Sequence, residues 1–330
     1  MSNFMEANAP IFVAGHRGLA GSAIARGLLA SGYTNLILRS RQELDLADSI
    51  ATRQFFEEKR PEYVFLAAAK VGGVLANFDY PADFITENLK IQNNVIESAM
   101  RCGVKRLLFL GSSCIYPKLA RQPIQEEYLL SGPLEFTNRP YAVAKIAGIE
   151  MCWACNRQYG TKFLAAMPTN LYGTGDHYDL RASHVLPALI RKTHEALEHE
   201  QRSVVVWGSG TPLREFLFSD DMAAAAIFLM NLPEPQFESL VNGCELPPLI
   251  NVGSGEELSI RDLALMVFKV LGFTGDLVFD TAKPDGTPRK LLDSSRLFNL
   301  GWKPRISLSK GIRLAWDDYR TRAQQLQGMC

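Results

Sequence analysis

The chain has 330 residues, 47% of them hydrophobic and 21% charged, the composition of a globular protein with an ample core and roughly one to two domains. Thirty-five Lys and Arg balance 35 Asp and Glu, which excludes a global field drawing in nucleic acid or an anionic membrane. Any anionic ligand must be held by local groups. The opening MSNFMEANAP lacks the basic start and apolar stretch of a signal peptide, and no apolar run approaches a membrane span, so a cytoplasmic protein with reduced cysteines is expected.

Short apolar runs at 10–15, 35–40, 63–69, 105–113 and 162–168 read as buried strands. Helix-period segments alternate with them near 19–32, 48–59, 82–102 and 141–159. This alternation predicts an α/β fold with a doubly wound, Rossmann-type parallel sheet and ligands at the carboxyl ends of its strands. Beyond Tyr172 the pattern loosens: a helix near 184–199, a strand at 203–208, a helix at 219–231, a proline-spotted loop at 233–248 and a strand at 249–255. A helix at 258–272 stopping at Gly272, a strand at 276–280, a loop at 281–290 and two helical pieces finish the chain. The expected organisation is a dinucleotide domain over 1–172 and a smaller, mainly substrate-binding α/β domain over 173–330. Segments near 203–231 and 249–255 are expected to return to the first.

GHRGLAG places Gly15, Gly18 and Gly21 between the first strand and the first helix, with His16, Arg17, Leu19 and Ala20 among them. Glycines there permit a tight turn and let a pyrophosphate approach the helix N-terminus. An NAD site carries Asp or Glu at the end of the second strand. This chain has Arg39 and Arg41 there, besides Arg17 in the loop, and arginines suit a 2′-phosphate through bidentate contacts. NADP(H) is the expected cofactor.

YAVAK puts Tyr141 and Lys145 four residues apart, on one face of a helix. An ammonium there is expected to pull the phenol down from its ordinary value and ready it as a proton donor to a carbonyl oxygen. Ser112, after Leu110 and Gly111 at a strand end, can bond the same oxygen. Alone, Tyr-x-x-x-Lys also fits an amphipathic helix; after this glycine loop and a strand-end serine it reads as a reducing centre. Cys152 and Cys155 lie inside the same helix and read as packing, and His16, His177, His194 and His199 form no ligand set, so no metal is expected.

These residues resemble the extended short-chain dehydrogenase/reductase family, whose catalytic set is Ser, Tyr and Lys. Within it, AAAKVGGVLAN, GSSCIYPK, PYAVAKIAGIEMC, MPTNLYG and KPDGTPRKLLD resemble the GDP-L-fucose synthases nearly end to end. The resemblance implies NADPH-dependent conversion of GDP-4-keto-6-deoxy-D-mannose, with epimerisation at carbons 3 and 5 followed by reduction of the carbon-4 ketone. It implies that Cys114 and His184 are the acid–base pair, whereas spacing alone favours a packed thiol and a helix-start residue. The resemblance also sets Pro168, Thr169, Asn170, Leu171 and His184 beside the cofactor. It gives Asn170, Lys192, Trp207, Arg214 and Asp285 to the substrate, and a homodimer formed through helices near 82–102 and 141–159. Rival readings are a simple ketoreductase or epimerase on another nucleotide sugar, and a non-catalytic NADP-binding sensor.

Overall fold

The computed structural model describes residues 4–180, 183–243, 247–283 and 285–327. The first half runs β1 (Ile11–Ala14), α1 (Leu19–Ala30), β2 (Leu36–Ile37), α2 (Ser49–Lys59), β3 (Tyr63–Leu66), α3 (Val74–Asp79), α4 (Pro81–Arg101), β4 (Arg106–Leu110), α5 (Arg139–Tyr159) and β5 (Phe163–Pro168). Local chemistry sets the helix ends. Asp48 caps α2 by accepting from the amides of Ile50 and Ala51, α4 and α5 carry proline in their first turns, and Gly160 ends α5 in the left-handed conformation.

Strands β1, β3, β4 and β5 are buried along their whole length, which is why they read as continuous apolar runs rather than alternating ones. They form a parallel sheet of order β2-β1-β3-β4-β5-β9, with β9 at Leu249–Val252. Val13, Leu108 and Leu164 face one apolar layer with Ile24 and Leu28 of α1; Phe12 and Phe109 face another with Phe56 of α2, Val95 of α4 and Ile149 of α5. The strand order reverses between β1 and β3, so a crevice opens at their carboxyl ends, where the glycine loop lies.

The second half runs β6 (Asn170–Tyr172), α6 (Val185–Glu198), β7 (Ser203–Trp207), β8 (Leu213–Phe218), α7 (Ser219–Met230), α8 (Glu234–Val241), β9, β10 (Glu257–Ser259), α9 (Ile260–Leu271), β11 (Asp276–Asp280), β12 (Arg289–Lys290), α10 (Ser295–Asn299) and α11 (Leu308–Gln327). β8 is the hub of a second sheet, pairing with β6, β10 and β12. Leu186 and Leu189 of α6, Leu263 and Val267 of α9, and Ile312 of α11 share a third core. α7 packs its Ala223 and Met230 into the first layer, beside α1.

Two expectations are corrected, and one strand was missed. The strand at 203–207 does not return to the large sheet but pairs with β11. Its burial alternates, Val204 and Val206 in, Val205 and Trp207 out, the signature of a strand wet on one face. The loop expected over 233–248 contains α8, because its prolines fall at the cap and first turn, where helices accept them, while Phe237, Leu240 and Val241 bury one face. And β8, LREFLF, went unpredicted because its charged pair interrupts the apolar run.

Candidate active site

The glycine loop is shaped by its own backbone. Gly15 has φ +84°, and a Cβ on it would stand 2.7 Å from the amide nitrogen of Ala68. A Cβ on Gly21 would stand 2.1 Å from the carbonyl oxygen of Gly15, so α1 reaches the loop only with glycine there. Gly18 is the N-cap of α1 and no side chain caps it, leaving the helix amides turned to the cleft. A cavity of about 540 Å³ opens here, lined among others by Gly15, His16, Arg17, Gly18, Arg39 and Arg41. Arg39 donates to its neighbour's carbonyl, Leu38, at 2.8 Å, whereas Arg41 is paired with Glu87 at 2.8 Å. Burial, then Arg17, hold the His16 imidazole below its ordinary pKa, against the Arg39 backbone and Glu43. Close-approach glycines, uncapped amides and several cations in one cavity fit a dinucleotide with an extra phosphate.

At the end of β4 the chain passes through Leu110, Gly111 and Ser112 into a short 3-10 turn, Ser113–Ile115. The Ser112 hydroxyl accepts from the amide of Cys114 at 3.3 Å and hydrogen-bonds Tyr141. From α5, Lys145 reaches back to donate to the Leu110 carbonyl at 2.8 Å, its ammonium 4.6 Å from the Phe109 ring centre and 5.9 Å from that of Tyr141. Only 3% of Lys145 is exposed, and burial pushes its pKa down to about 7.

The phenol departs from its expected behaviour. Burial first, then the neighbouring Cys114, holds Tyr141 well above the ordinary tyrosine value, against the Ser112 hydrogen bond. Lys145 cannot offset this, because the same burial weakens its own hold on a proton and its ammonium is committed to Leu110. Tyr141 is therefore a firmly protonated donor.

Cys114 lies beside this set. Its Sγ accepts from Asn138 Nδ2 at 3.2 Å and from Lys290 Nζ at 3.6 Å. His184 is the N-cap residue of α6, but its side chain caps nothing, so the ring remains available. The walls of the cleft crowd the ring although solvent still reaches it; that burial, then Lys290, lowers its pKa. Lys290 thus neighbours both thiol and imidazole.

Farther out, Trp207 ends β7 with half its surface exposed. Lys192 Nζ lies 5.7 Å and Lys283 Nζ 5.5 Å from its ring centre, and Lys192 also donates to the Val205 carbonyl at 2.9 Å. Arg214, on β8, is held below its ordinary pKa by burial against the pull of Asp285 and Cys114. The Asp285 carboxylate accepts from the Ser209 amide at 2.9 Å and hydroxyl at 2.7 Å. Thr169 and Asn170, after β5, both donate to the carbonyl of Glu215, at 3.2 and 2.8 Å; Pro168 ends β5 and Leu171 lies in β6. Cys152 and Cys155 are buried in the core under α5.

Sequence reasoning missed Asn138, Lys283, Lys290 and Glu215. KPDGTPRK held two of these, but nothing in its composition says which lysine turns inward. Asn138 precedes α5, and Glu215 was hidden in the unpredicted β8.

The model of the NAD dependent epimerase/dehydratase family matches residues 11–242. The GDP-L-fucose synthase of Escherichia coli K12 is 52% identical over 96% of this chain and 98% of its own. Among solved structures, a Campylobacter jejuni GDP-6-OMe-4-keto-L-xylo-heptose reductase is 42% identical with a TM-score of 0.90, covering 97% of this chain and 100% of its own. A Naegleria fowleri GDP-L-fucose synthetase bound to NADP is 29% identical with a TM-score of 0.86, over 97% and 95%.

Proposed function

This chain belongs to the NAD dependent epimerase/dehydratase family, and from its near full-length likeness to GDP-L-fucose synthases we propose that it works as one. It is an NADP(H)-dependent enzyme that converts GDP-4-keto-6-deoxy-D-mannose to GDP-L-fucose by inverting carbons 3 and 5 and reducing the carbon-4 ketone. The observation that carries the reading is the setting of Cys114: a thiol beside the Ser112–Tyr141 pair, sharing Lys290 with the His184 imidazole. A ketone reductase needs the serine, tyrosine and lysine alone; a further thiol and imidazole supply proton transfer to carbon.

A ketone at carbon 4 acidifies the hydrogens on carbons 3 and 5. Cys114 and His184 remove and return those protons, while Tyr141 and Ser112 hydrogen-bond the oxygen on which the enolate charge gathers. A phenol kept protonated by its surroundings suits this task and then gives its proton to the reduced oxygen. Bound NADPH supplies the hydride for carbon 4. Gly15 to Gly21 would hold its pyrophosphate, Arg17, Arg39 and Arg41 the 2′-phosphate, and Lys145 the ribose, with Leu110 to Ser112, Pro168 to Leu171 and His184 lining the nicotinamide side.

On this reading residues 1–172 serve the dinucleotide and 173–330 mainly the GDP-sugar, with Asn170 at the seam, Lys192 and Arg214 on the diphosphate, and Trp207 and Asp285 on the nucleoside. Among the described residues no helix is long and apolar enough to cross a membrane. Cys102, Cys114, Cys152 and Cys155 are free thiols, in keeping with a reducing cytoplasm. A homodimer through α4 and α5 would cover Val143, an apolar residue 41% exposed on α5; light scattering should give twice the chain mass.

The deciding experiment is hydrogen exchange by NMR in D2O with GDP-4-keto-6-deoxy-D-mannose and NADP+. Deuterium at carbons 3 and 5, lost in Cys114→Ser, supports the proposal. NADPH oxidation without exchange makes the protein a simple carbon-4 reductase, the activity named for the Campylobacter relative.

A further inference from the structure

Strand β12 is two residues long, yet it is fixed on every side. Arg289 forks onto Glu257, its Nε 2.9 Å from both carboxylate oxygens and its Nη2 2.5 Å from Oε1. The next amides are taken by side chains from two other elements: Leu291 N donates to Gln122 Oε1 at 2.9 Å, and Leu292 N to the buried Glu215 Oε2 at 3.1 Å. The Leu291 carbonyl accepts from Ile124 N at 2.7 Å, and Lys290 pairs in register with Arg214 of β8. Neighbouring strand residues point to opposite faces. Clamping Arg289 to Glu257 therefore aims Lys290 the other way, where its Nζ lies 3.6 Å from Cys114 Sγ.

We propose that Lys290 is the positioning residue of the Cys114–His184 pair, the fixed cation against which the thiolate of Cys114 forms and is aimed at carbon. The proposal rests on the functional reading above. In one direction the thiolate takes the proton from the carbon next to the ketone, and the C–H electron pair passes into the enolate. In the other, the thiol returns a proton to that carbon and becomes the thiolate. Both directions need a sulfur anion withdrawn from bulk water, which is costly unless a cation stands beside it. The groups facing the sulfur are suited to that charge: Asn138 Nδ2 ahead of α5, the Tyr141 phenol from α5, the Arg214 guanidinium from β8 and Lys290 from β12. Lys290 alone among them also acts on His184, where its charge disfavours the imidazolium.

The test uses Lys290→Met and Lys290→Arg in the full chain, with NADPH binding by fluorescence as the check that the cleft is intact. Alkylation of Cys114 by iodoacetamide at pH 7.5, read by mass spectrometry on its own peptide, reports the thiolate without turnover. We expect alkylation to fall about tenfold in Lys290→Met and to recover at least in part in Lys290→Arg. Deuterium exchange into the 4-keto sugar should follow the same order. If Lys290→Met binds NADPH but alkylates and exchanges like the wild type, Lys290 has no such role and the functional reading stands. If the wild type itself oxidises NADPH with this substrate without exchange, the functional reading falls and this proposal with it.

Discussion

The ammonium of Lys145 and the carbonyl oxygen of Leu110 meet at 2.8 Å, and this bond joins the second turn of α5 to the last residue of β4. Among the described residues it is the one hydrogen bond of the ammonium, and burial has moved the lysine pKa from 10.5 down to about 7. Such a shift corresponds to on the order of 4–5 kcal/mol of unfavourable burial, against about 1 kcal/mol for the hydrogen bond. Lys145→Met should therefore abolish reduction while stabilising the protein by about 2 kcal/mol. The unfolded chain binds this proton more tightly than the folded one, so the wild type gains stability as pH rises from about 7 toward 10.5. Thermal melts of the ligand-free protein should show the mutant's advantage at pH 6.5 shrinking by pH 9.5. A wild type that melts higher at both values would remove this account.

Two glycines of one motif should behave differently. A Cβ on Gly21 meets the Gly15 carbonyl oxygen at 2.1 Å, and neither backbone can yield without moving the loop. On Gly18 the same atom is met at an ordinary 3.5 Å. We expect Gly21→Ala to cost about 2–3 kcal/mol, as overpacking against backbone does, and to lose NADPH binding with it. Gly18→Ala should melt within a degree or two of the wild type, since alanine's poorer fit at an N-cap is offset by the entropy it removes from the unfolded chain, and should weaken only NADPH binding. Melting curves and NADPH titrations of the two variants separate these outcomes; equal stability of both would contradict the steric argument.

Much of this was legible in the sequence, and the reasons differ by element. β1, β3, β4 and β5 were readable because a doubly covered strand must be apolar at every position, and the glycine loop because its geometry admits few other residues. Tyr141 and Lys145 were readable because helix spacing fixes their common face. β7 was found but given the wrong partner, since alternation tells which face is buried but not against what. Lys290 was invisible for a different reason: its place beside Cys114 is made by Gln122, Glu215 and Glu257, each distant in the chain. The tyrosine pKa was misjudged because spacing reveals the nearby lysine but not the burial acting on both groups.

Three arginines were candidates for the extra phosphate, and their partners rank two of them. Arg41 is already paired with Glu87 at 2.8 Å and lies 4.0 Å from Asp45. The Arg39 hydrogen bond is to the neighbouring Leu38 carbonyl, and Glu43 and Glu58 act on its charge without pairing with it, so the guanidinium can still turn to the cavity. Arg39→Ala should therefore weaken NADPH about tenfold while leaving NADH within about twofold, as a charge-assisted phosphate contact predicts. Arg41→Ala should cost less than half of that in free energy. Titrations with both cofactors decide it, and a larger loss at Arg41 would reverse the ranking.

Glu215 is fully buried, and every part of it holds something. Its carboxylate accepts from the amides of Gly255 at 2.8 Å and Leu292 at 3.1 Å, and its carbonyl takes Thr169 and Asn170. Burial raises its pKa, so these amides are the acceptor's compensation for lost water. Glu215→Ala leaves two amides without their acceptor and a hollow beside Gly253, whose own Cβ-side space the carboxylate fills at 2.2 Å. We expect a loss of about 3–5 kcal/mol in urea unfolding. Glu215→Gln keeps the volume and one acceptor oxygen but turns an NH2 toward an N–H, and should cost about half as much. Because Leu292 is two residues beyond Lys290, the glutamine variant should also lose turnover more than NADPH affinity. If Glu215→Ala unfolds within about 1 kcal/mol of the wild type, this carboxylate is not the tie that fixes β12.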